Sequence, residues 1–362
     1  PFNYDKNNPV FTPYGTYLPI PADMKTTTQY SWNFGIQHQV TRDLFVAATY
    51  VGTHIIHIQN ALELNPAQYI PGNCVAGQYG LLAAGPCSTA GNVNQRRLLN
   101  LANPQANLGY LTSYDTGGTQ GYNGLLLNTN WRRGRNVNLN ANYTWSHCIG
   151  LDVITLLNPG QNHVHQPYQN NGSQDRNQDV GNCAGDRRQI LNATIVAKTP
   201  GFANHAMNIV ASGWSFSTIY TQRTGAPLNI IIGSDVALNG FQGNSGTQRP
   251  NQVDAHAYGD RKSLTNYFNK AAFATTAAGT YGNVGAFSVI GPGFWEWDEA
   301  VSRQFRIRET QTLEFRAEAF NVTNSLRRGN PGTTFSNANT FAVINTSAGG
   351  PRILQFALKY IF

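Results

Sequence analysis

The chain has 362 residues, of which 41% are hydrophobic and only 12% are charged, and its formal net charge is +7. Soluble domains ordinarily carry about twice that share of charged residues. No apolar run reaches the ~18 residues of a membrane-spanning helix, and the basic residues form only short pairs such as Arg132-Arg133, which argues against a nucleic-acid interface.

Period-two alternation of apolar and polar residues predicts nine β-strands. Residues 1–26 precede the first of them, show no sustained period and are predicted to be the end of an extracellular loop. The predicted strands are residues 27–40, 44–54, 121–132, 136–146, 187–198, 209–221, 294–307, 311–324 and 351–362.

The clearest strand is residues 136–146, where five apolar residues alternate with Asn, Thr and Ser over eleven positions. At ~3.3 Å per residue and a tilt of ~45°, such a strand rises roughly 25 Å, which is the height of the apolar band of an outer-membrane barrel. The fold class predicted is therefore all-β, an antiparallel transmembrane β-barrel.

The connections between the predicted strands alternate in length. Short turns are predicted around residues 41–43, 133–135, 199–208 and 308–310. Long loops are predicted at about 55–120, with room for some β structure in 108–114, and at 148–186, 233–293 and 325–350. Short periplasmic turns and long extracellular loops are typical of transmembrane barrels. Large aromatic residues lie toward the strand ends, as in interfacial girdles: Tyr30, Trp32, Trp131, Tyr143, Trp145, Trp214, Tyr220, Trp295 and Trp297.

One strand, residues 294–307, fits the alternation poorly. Glu299 and Arg303 share their parity with the apolar Val301 and Phe305. A long Arg side chain can reach the membrane interface, whereas Glu299 has no such explanation. The register of this strand is therefore left open.

The four cysteines allow three disulfide pairings. We favour Cys74 with Cys87 and Cys148 with Cys183, each closing a loop in an oxidising compartment. The sequence has no C-x-x-C pair, so a Cys₄ metal site is not expected.

The search for catalytic and metal-binding patterns predicts neither. His163 and His165 form an H-x-H pair without an acidic or Cys partner at metal-site spacing, and no G-x-S-x-G motif occurs. We predict that the protein is not an enzyme and holds no cofactor. Glu314, Arg316 and Glu318 are candidates for a lumen-facing charge ladder, or for a polar path for solute or a surface on which a plug docks.

The last predicted strand ends in a C-terminal aromatic residue. Its apolar positions are Phe356, Leu358, Tyr360 and Phe362, preceded by Leu354 on the same face. This pattern resembles the signal that the outer-membrane barrel assembly machinery recognises in its client proteins.

Short motifs follow one another along nearly the whole chain from residue 27. They are residues 122–125 (YNGL), 143–147 (YTWSH), 186–188 (DRR), 213–214 (GW), 225–227 (GAP), 249–251 (RPN), 267–269 (YFN) with 272–273 (AF), 279–280 (GT) with 282–283 (GN), 291–293 (GPG), 315–324 (FRAEAFNVTN) and 351–352 (PR). Each is weak alone, but the ordered set resembles the C-terminal barrel half of Oar-like TonB-dependent receptors, which carry an N-terminal carboxypeptidase-regulatory-like domain.

The resemblance implies a 22-strand barrel with an internal plug and an N-terminal energy-coupling box. We expect residues 27–362 to supply about nine C-terminal strands, with the plug and the N-terminal domain outside this chain. The expected function is energised uptake of a large solute captured by the extracellular loops. The expected partners are outer-membrane lipid, the TonB complex through the missing N-terminal part and the barrel assembly machinery, with no nucleic acid. The alternative is a soluble or surface-anchored all-β adhesin that binds through the same loops.

Overall fold

The computed structural model describes residues 7, 12–151, 164–165, 179–240 and 248–362. It contains nine long strands in one sheet. They are β1 (Thr28–Thr41), β2 (Leu44–Glu63), β3 (Thr112–Arg133), β4 (Val137–Gly150), β5 (Gln189–Lys198), β6 (Trp214–Arg223), β7 (Phe294–Arg306), β8 (Thr312–Phe320) and β9 (Ile353–Ile361).

The nine strands lie in chain order and each is antiparallel to the next. Two short segments, Val164–His165 and Gly181–Asn182, extend the sheet beside β2 and β4. The prediction of an all-β antiparallel sheet is confirmed. The sheet does not close on itself: in the described part of the chain, β1 pairs only with β2 and β9 only with β8.

Because neighbouring strands are antiparallel, their connections fall alternately at the two ends of the sheet. The connections at one end are short, two to fifteen residues each, and the other end carries four long ones. We call the long ones L1 (64–111), L2 (151–188), L3 (224–293) and L4 (321–352), and together the loop layer.

The loop layer and one turn contain several short elements. The α-helices are α1 (Leu98–Ala102) and α2 (His205–Ala211), and the 3₁₀ turns are Gln78–Gly80, Asn94–Arg96, Asp260–Lys262 and Lys270–Ala272. Two-residue ladders pair Asn73–Cys74 with Gly85–Pro86, Pro227–Leu228 with Val289–Ile290, and Asn251–Gln252 with Phe273–Ala274.

The predicted start of the sixth strand at residue 209 is wrong. That residue lies in α2, whose N-cap is Asn204, with the side-chain oxygen accepting a hydrogen bond from the backbone N–H of Met207 at 3.1 Å. The chain turns at Gly213, where φ is +75°, and β6 begins at Trp214. A left-handed residue favours glycine, so this turn separates the helix from the strand.

The irregular segment predicted for residues 55–120 is wrong at both ends. β2 continues to Glu63 and β3 begins at Thr112, because the two strands keep pairing beyond a bulge between Ile55 and Asn60. Extra residues in one strand of a pair bend it and raise its twist. The pair therefore projects well beyond the other strands into the loop layer.

The described part of the predicted N-terminal loop, residues 12–26, is irregular apart from a bridge between Tyr17 and Leu111. Residues 1–6 and 8–11 lie outside the described residues.

Candidate functional site

One face of the sheet is covered by rows of apolar side chains, and we call it the apolar face. Residues that pair directly across neighbouring strands share a face. One such row crosses five strands, and another crosses β6 to β9. The rows are Ile36, Ala48, Leu127, Tyr143 and Leu191, and Phe216, Val301, Ala317 and Phe356.

These apolar side chains are open to the surroundings. Phe34 is 69% exposed, and Phe356 and Leu358 are each 68% exposed. Along the first row lies a groove of about 410 Å³ that is lined almost entirely by apolar atoms. Soluble monomers rarely expose contiguous apolar patches of more than a few hundred Å², so this face is suited to lipid.

Aromatic side chains mark the two ends of the apolar face. Trp131 and Trp214 lie near the short-connection end, and Trp145 and Trp295 near the loop end. On β7, Trp295 and Phe305 share the face and are ten residues apart, which at ~3.3 Å per residue and a tilt of ~45° corresponds to a height of roughly 23 Å. Two aromatic bands at this spacing match the two interfaces of a membrane.

The strand with the open register, β7, pairs with both neighbours along its central residues. Glu299 lies opposite Thr218 and Ala319, on the apolar face. Its carboxylate accepts hydrogen bonds from the Thr218 hydroxyl at 2.5 Å and from the Trp297 ring nitrogen at 3.2 Å. The charge of Glu299 therefore has two donors on its own face.

Arg303, the second exception on β7, extends toward the short-connection end. Its guanidinium donates to the carbonyl oxygens of Ile209 and Val210 in α2 and lies 5.2 Å from the centre of the Trp214 ring. A cation held over a tryptophan at the end of the apolar face is well placed for the membrane interface.

The opposite face of the sheet, the polar face, carries amides and charges. Asn128, Asn142 and Asn192 form a row across β3, β4 and β5. Three charged residues of β8 lie close together, with Arg316 3.1 Å from the carboxylate of Glu314 and 3.5 Å from that of Glu318. Exposed pairs of this kind add little stability, so their value lies in the polar surface that they present.

The hydrophobic core of the protein lies in the loop layer. Every buried hydrophobic side chain among the described residues belongs to a long loop or to the loop end of β2 or β3. The main cluster joins L3 to L4, with the Phe268 and Phe341 rings 6.1 Å apart and the Tyr267 N–H donating to the Ala342 carbonyl at 2.9 Å. The long loops are therefore a packed structure.

Two fully buried arginines join L1 to L3. Arg96 donates to the carbonyl oxygens of Thr89 at 3.0 Å and Leu238 at 3.1 Å. Arg97 donates to the carbonyl oxygens of Asn65 and Gly240, each at 2.8 Å. Burial lowers the pKa of Arg96 to about 10, so this guanidinium keeps its charge at neutral pH.

The carboxylate nearest to Arg97 is Glu63, which is also fully buried. It lies 3.9 Å from Arg97 and accepts hydrogen bonds from the backbone N–H groups of Asn65 and Leu111 and from the Thr112 hydroxyl. Burial lowers the pKa of Arg97, and Glu63 acts in the opposite direction. None of these buried charges was predicted from the sequence, because their partners come from distant loops.

Two disulfides close segments of the loop layer, in the pairing favoured from the sequence. Cys74 is bonded to Cys87 in L1, and Cys148 at the end of β4 is bonded to Cys183 in L2. An ion pair at 2.7 Å between Asp179 and Arg249 then joins L2 to L3. All four long loops are thus held by direct contacts to at least one other loop.

The described residues contain no cluster of three or more His, Cys, Asp or Glu side chains that could hold a metal. His163 of the H-x-H pair lies outside the described residues, as does the glycine-rich segment 241–247. In the same described part, no helix is long and apolar enough to cross a bilayer.

A sheet with one lipid-suited face, one polar face and all long connections packed at one end defines a membrane-embedded β-sheet protein. The sequence profile of the outer membrane beta barrel domain matches residues 1–355, and the chain belongs to this family. The protein is therefore located in the outer membrane. This excludes the soluble all-β adhesin considered as the alternative.

The chain is similar to several solved outer-membrane proteins. The outer membrane transporter YddB from Escherichia coli is 11% identical, with a TM-score of 0.42, 98% of this chain covered and 34% of that one. The ferric-catecholate import receptor Fiu from E. coli is 10% identical, with a TM-score of 0.39, and the match covers 94% of this chain and 28% of that one. The FrpB iron transporter from Neisseria meningitidis is 11% identical, with a TM-score of 0.37, and the match covers 95% of this chain and 33% of that one.

The chain thus spans about a third of the length of these solved proteins. At this identity and TM-score the likeness says nothing about the solute. No curated protein sequence matches the chain.

Proposed function

We propose that residues 27–362 form about nine C-terminal strands of a TonB-dependent receptor barrel of about 22 strands, which takes up a large solute, and that residues 1–26 end an extracellular loop. The observation that carries this proposal is the separation of the two kinds of apolar residue. Many large apolar side chains along the sheet are exposed, whereas the buried hydrophobic side chains of the described residues lie in the long loops and at the loop ends of β2 and β3. A water-soluble binding protein would bury the former.

The two open edges of the sheet support further strands on both sides. In a bilayer, the unpaired N–H and C=O groups of β1 and β9 must find partners, because lipid offers none. A larger barrel supplies them, and the ordered motifs shared with Oar-like receptors favour a barrel of that family, with its plug and its energy coupling through TonB.

The loop layer is the proposed site of solute capture. Its four loops hold one another through buried charges, a disulfide-closed segment and a hydrophobic cluster, so it offers a preformed surface instead of a set of free segments. The polar face, with Glu314, Arg316 and Glu318, is the proposed wall of the solute path or the surface on which a plug docks.

The exposed end of β9 supports recognition by the barrel assembly machinery. Phe356, Leu358 and Tyr360 lie on one face and are at least half exposed, and Phe362 is 91% exposed and stacks on Tyr360 at 6.0 Å. An unpaired strand edge with a row of apolar side chains is a suitable template for strand addition.

The proposed function is tested by uptake in cells that produce the full-length receptor. Wild-type and gene-deleted cells are offered a defined mixture of peptides, glycans and ferric chelates, and depletion of each compound is followed by mass spectrometry. We expect depletion of at least one compound, and its loss on deletion or on collapse of the proton gradient. Equal depletion by both strains, for all compounds, would contradict the proposal.

The role of the polar face is tested by Glu318→Ala, which removes one carboxylate beside Arg316. The matched control is Glu309→Ala, an exposed carboxylate in the short connection between β7 and β8. We expect the first variant to change the uptake rate or the retention of the plug and the second to leave both unchanged. Unaltered transport in both variants would remove the polar face from the mechanism.

A further inference from the structure

A basic pocket of about 490 Å³ lies where L3 and L4 meet the loop end of β7. Its lining includes four cationic side chains and two exposed apolar ones: Arg261, Lys262, Arg327, Arg328, Trp295 and Leu326. Four positive charges in one concave site favour an anion.

The charges of this pocket are poorly balanced by carboxylates. Glu296 forms an ion pair with Arg327, whereas Arg261, Lys262 and Arg328 form none within the described part of the chain, although Asp260 is adjacent in the sequence. Arg327 is only 6% exposed, and its guanidinium also donates a hydrogen bond to the Gly350 carbonyl. The positive charge available to an anion in the pocket is therefore mainly that of Arg261, Lys262 and Arg328.

The backbone that presents two of these cations is strained. Arg261 and Lys262 have φ of +56° and +45°, a region that residues with a Cβ seldom adopt and that clusters at functional sites. The Lys262 ammonium lies 3.9 Å from the centre of the Tyr258 ring, and the Lys262 carbonyl accepts a hydrogen bond from Arg328 at 2.8 Å. These contacts fix the Lys262 ammonium on Tyr258 and tie Arg328 of L4 to the same turn of L3.

The position of the pocket indicates the source of the anion. Trp295 lies on the apolar face, two residues along β7 from Trp297, and Leu326 beside it is 65% exposed. The pocket therefore borders the aromatic band at the loop end of the membrane-facing surface. A basic site at this depth faces lipid headgroups, with apolar surface below it for acyl chains.

We propose that the basic pocket binds the phosphate group of an anionic lipid in the leaflet on the loop side, with the acyl chains along the apolar face below Trp295. This inference rests on the proposed orientation, in which the long loops face outward. Bound lipid would neutralise the uncompensated charges and hold L3 against L4 at the rim of the barrel.

The test uses purified full-length receptor in a neutral detergent and three probes: dihexanoyl phosphatidic acid, dihexanoyl phosphatidylcholine and inorganic phosphate. Binding is measured by isothermal titration calorimetry. We expect phosphatidic acid to bind at least about tenfold more tightly than either of the others, because it alone joins an uncompensated phosphate to acyl chains.

The variant for this test is Arg261→Gln with Lys262→Gln and Arg328→Gln, which keeps the polarity of the three side chains and removes their charge. Because three cations then no longer attract the phosphate group, we expect phosphatidic acid binding to weaken by about a hundredfold. Should the triple variant fail to fold, Arg328→Gln alone should weaken binding by about fivefold.

The matched control removes three charges at the opposite end of the sheet, by Arg132→Gln with Arg133→Gln and Arg135→Gln. We expect it to bind phosphatidic acid as the wild-type protein does. Equal binding of the two lipids, or unchanged binding in the pocket variants, would overturn the proposal. Binding of inorganic phosphate as tight as that of phosphatidic acid would also overturn it, in favour of a soluble anion. Because no solute or energy source is present, a failure here is separate from a failure of uptake.

Discussion

Replacing Glu63 by Gln should loosen the loop layer, because this carboxylate is the buried counter-charge of Arg97. Both side chains are fully buried, and the carboxylate also accepts two backbone N–H bonds and one hydroxyl bond. Gln keeps the size and one acceptor oxygen but removes the charge. It also places an amide nitrogen opposite groups that are themselves donors.

The expected cost follows from the type of contact that is broken. Removing one partner of a buried ion pair costs about 3–5 kcal/mol, since the other charge stays buried without compensation. Arg97 keeps its carbonyl partners at Asn65 and Gly240 and a weaker attraction to Asp235, but it has no other carboxylate within 4.0 Å among the described residues. We therefore expect Glu63→Gln to lower the free energy of opening of L1 by about 3–5 kcal/mol.

Amide hydrogen exchange measures that free energy locally. The N–H of Ala67, which donates to the Asn239 carbonyl at 2.9 Å, reports on the contact between L1 and L3, and the N–H of Leu98, which donates to Pro66, reports on L1 itself. Both should exchange about two to nearly four orders of magnitude faster in Glu63→Gln. Amides at the centre of β8 should keep their wild-type rates.

A double-mutant cycle with Arg97→Met isolates the pair. Met fills much of the volume of the lost side chain without its charge. If charge balance sets the cost, the double variant should be more stable than the sum of the two single changes implies. Additive costs, or an exchange rate in Glu63→Gln within about threefold of wild type, would refute the reasoning.

Three further predictions concern the sheet and the hydrophobic cluster. In Gly52→Ala the new Cβ would lie 2.2 Å from the ring of Trp32, so this indole must move, and one of the six ¹⁹F resonances of fluorotryptophan-labelled protein should shift. Phe356→Arg places a charge near the middle of the lipid-facing surface and should lower the free energy of folding into vesicles by about 2–4 kcal/mol, measured by urea titration. Burial raises the pKa of Tyr267 from 10.0 to about 12, so the folded loops hold a proton that the unfolded chain releases above pH 10; melting temperature should therefore fall as pH rises from 10 to 12.

Each of these predictions has a matched control. A Cβ at Gly121 would meet no atom closer than 4.0 Å, so Gly121→Ala should leave all six resonances in place, and a silent spectrum for Gly52→Ala would contradict the contact. Gln355→Arg adds the same charge on the polar face, opposite Glu318, and should fold as wild type; an equal penalty for both would show that the faces are not distinct. Tyr267→Phe should flatten the alkaline slope, and an unaltered slope would assign it to another group.

The strands were predictable because the alternation of apolar and polar residues indicates which face contacts lipid, and this pattern can be read within a single short segment. Residues 136–146 and 311–319 alternate without interruption, and both are strands in the structure. The loop ends of β2 and β3 were not predictable in this way. Beyond Ile55 of β2 and its partner Gln120 of β3, the two strands are bulged and partly buried among loops. Their side chains there no longer alternate between a polar and an apolar face.

The sequence contains a helix signal for α2, but we gave more weight to the alternation pattern and predicted a strand there. Asn204 stands three residues before Met207, a spacing typical of an N-cap, and Gly213 marks the turn into β6. The segment between them has apolar residues at consecutive positions, including Ile209 and Val210, and periodicity alone cannot tell a helix from a strand in such a run. The cap and the glycine together would have favoured the helix.

The buried arginines and the basic pocket depend on contacts that a local pattern cannot encode. Arg96 and Arg97 resemble any exposed pair in the sequence, and only the carbonyls of L3, more than 140 residues away, bury them. The same holds for Lys262 in L3 and Arg328 in L4, which are joined by a hydrogen bond between the two loops. Pairing between distant loops is set by tertiary packing, so it becomes visible only in the folded chain.

Because the hydrophobic cluster lies between L3 and L4, the sheet and the loop layer are stabilised in different ways. The strands are held in place by the surrounding lipid, whereas the loops are held by an oily interior of their own, as in an ordinary water-soluble domain. The two parts should therefore be sensitive to different treatments. Urea or alkali should unfold the loop layer first, whereas removal of the lipid should destabilise the sheet. A protein built in this way can unfold and refold its loop layer while its strands remain inserted in the membrane.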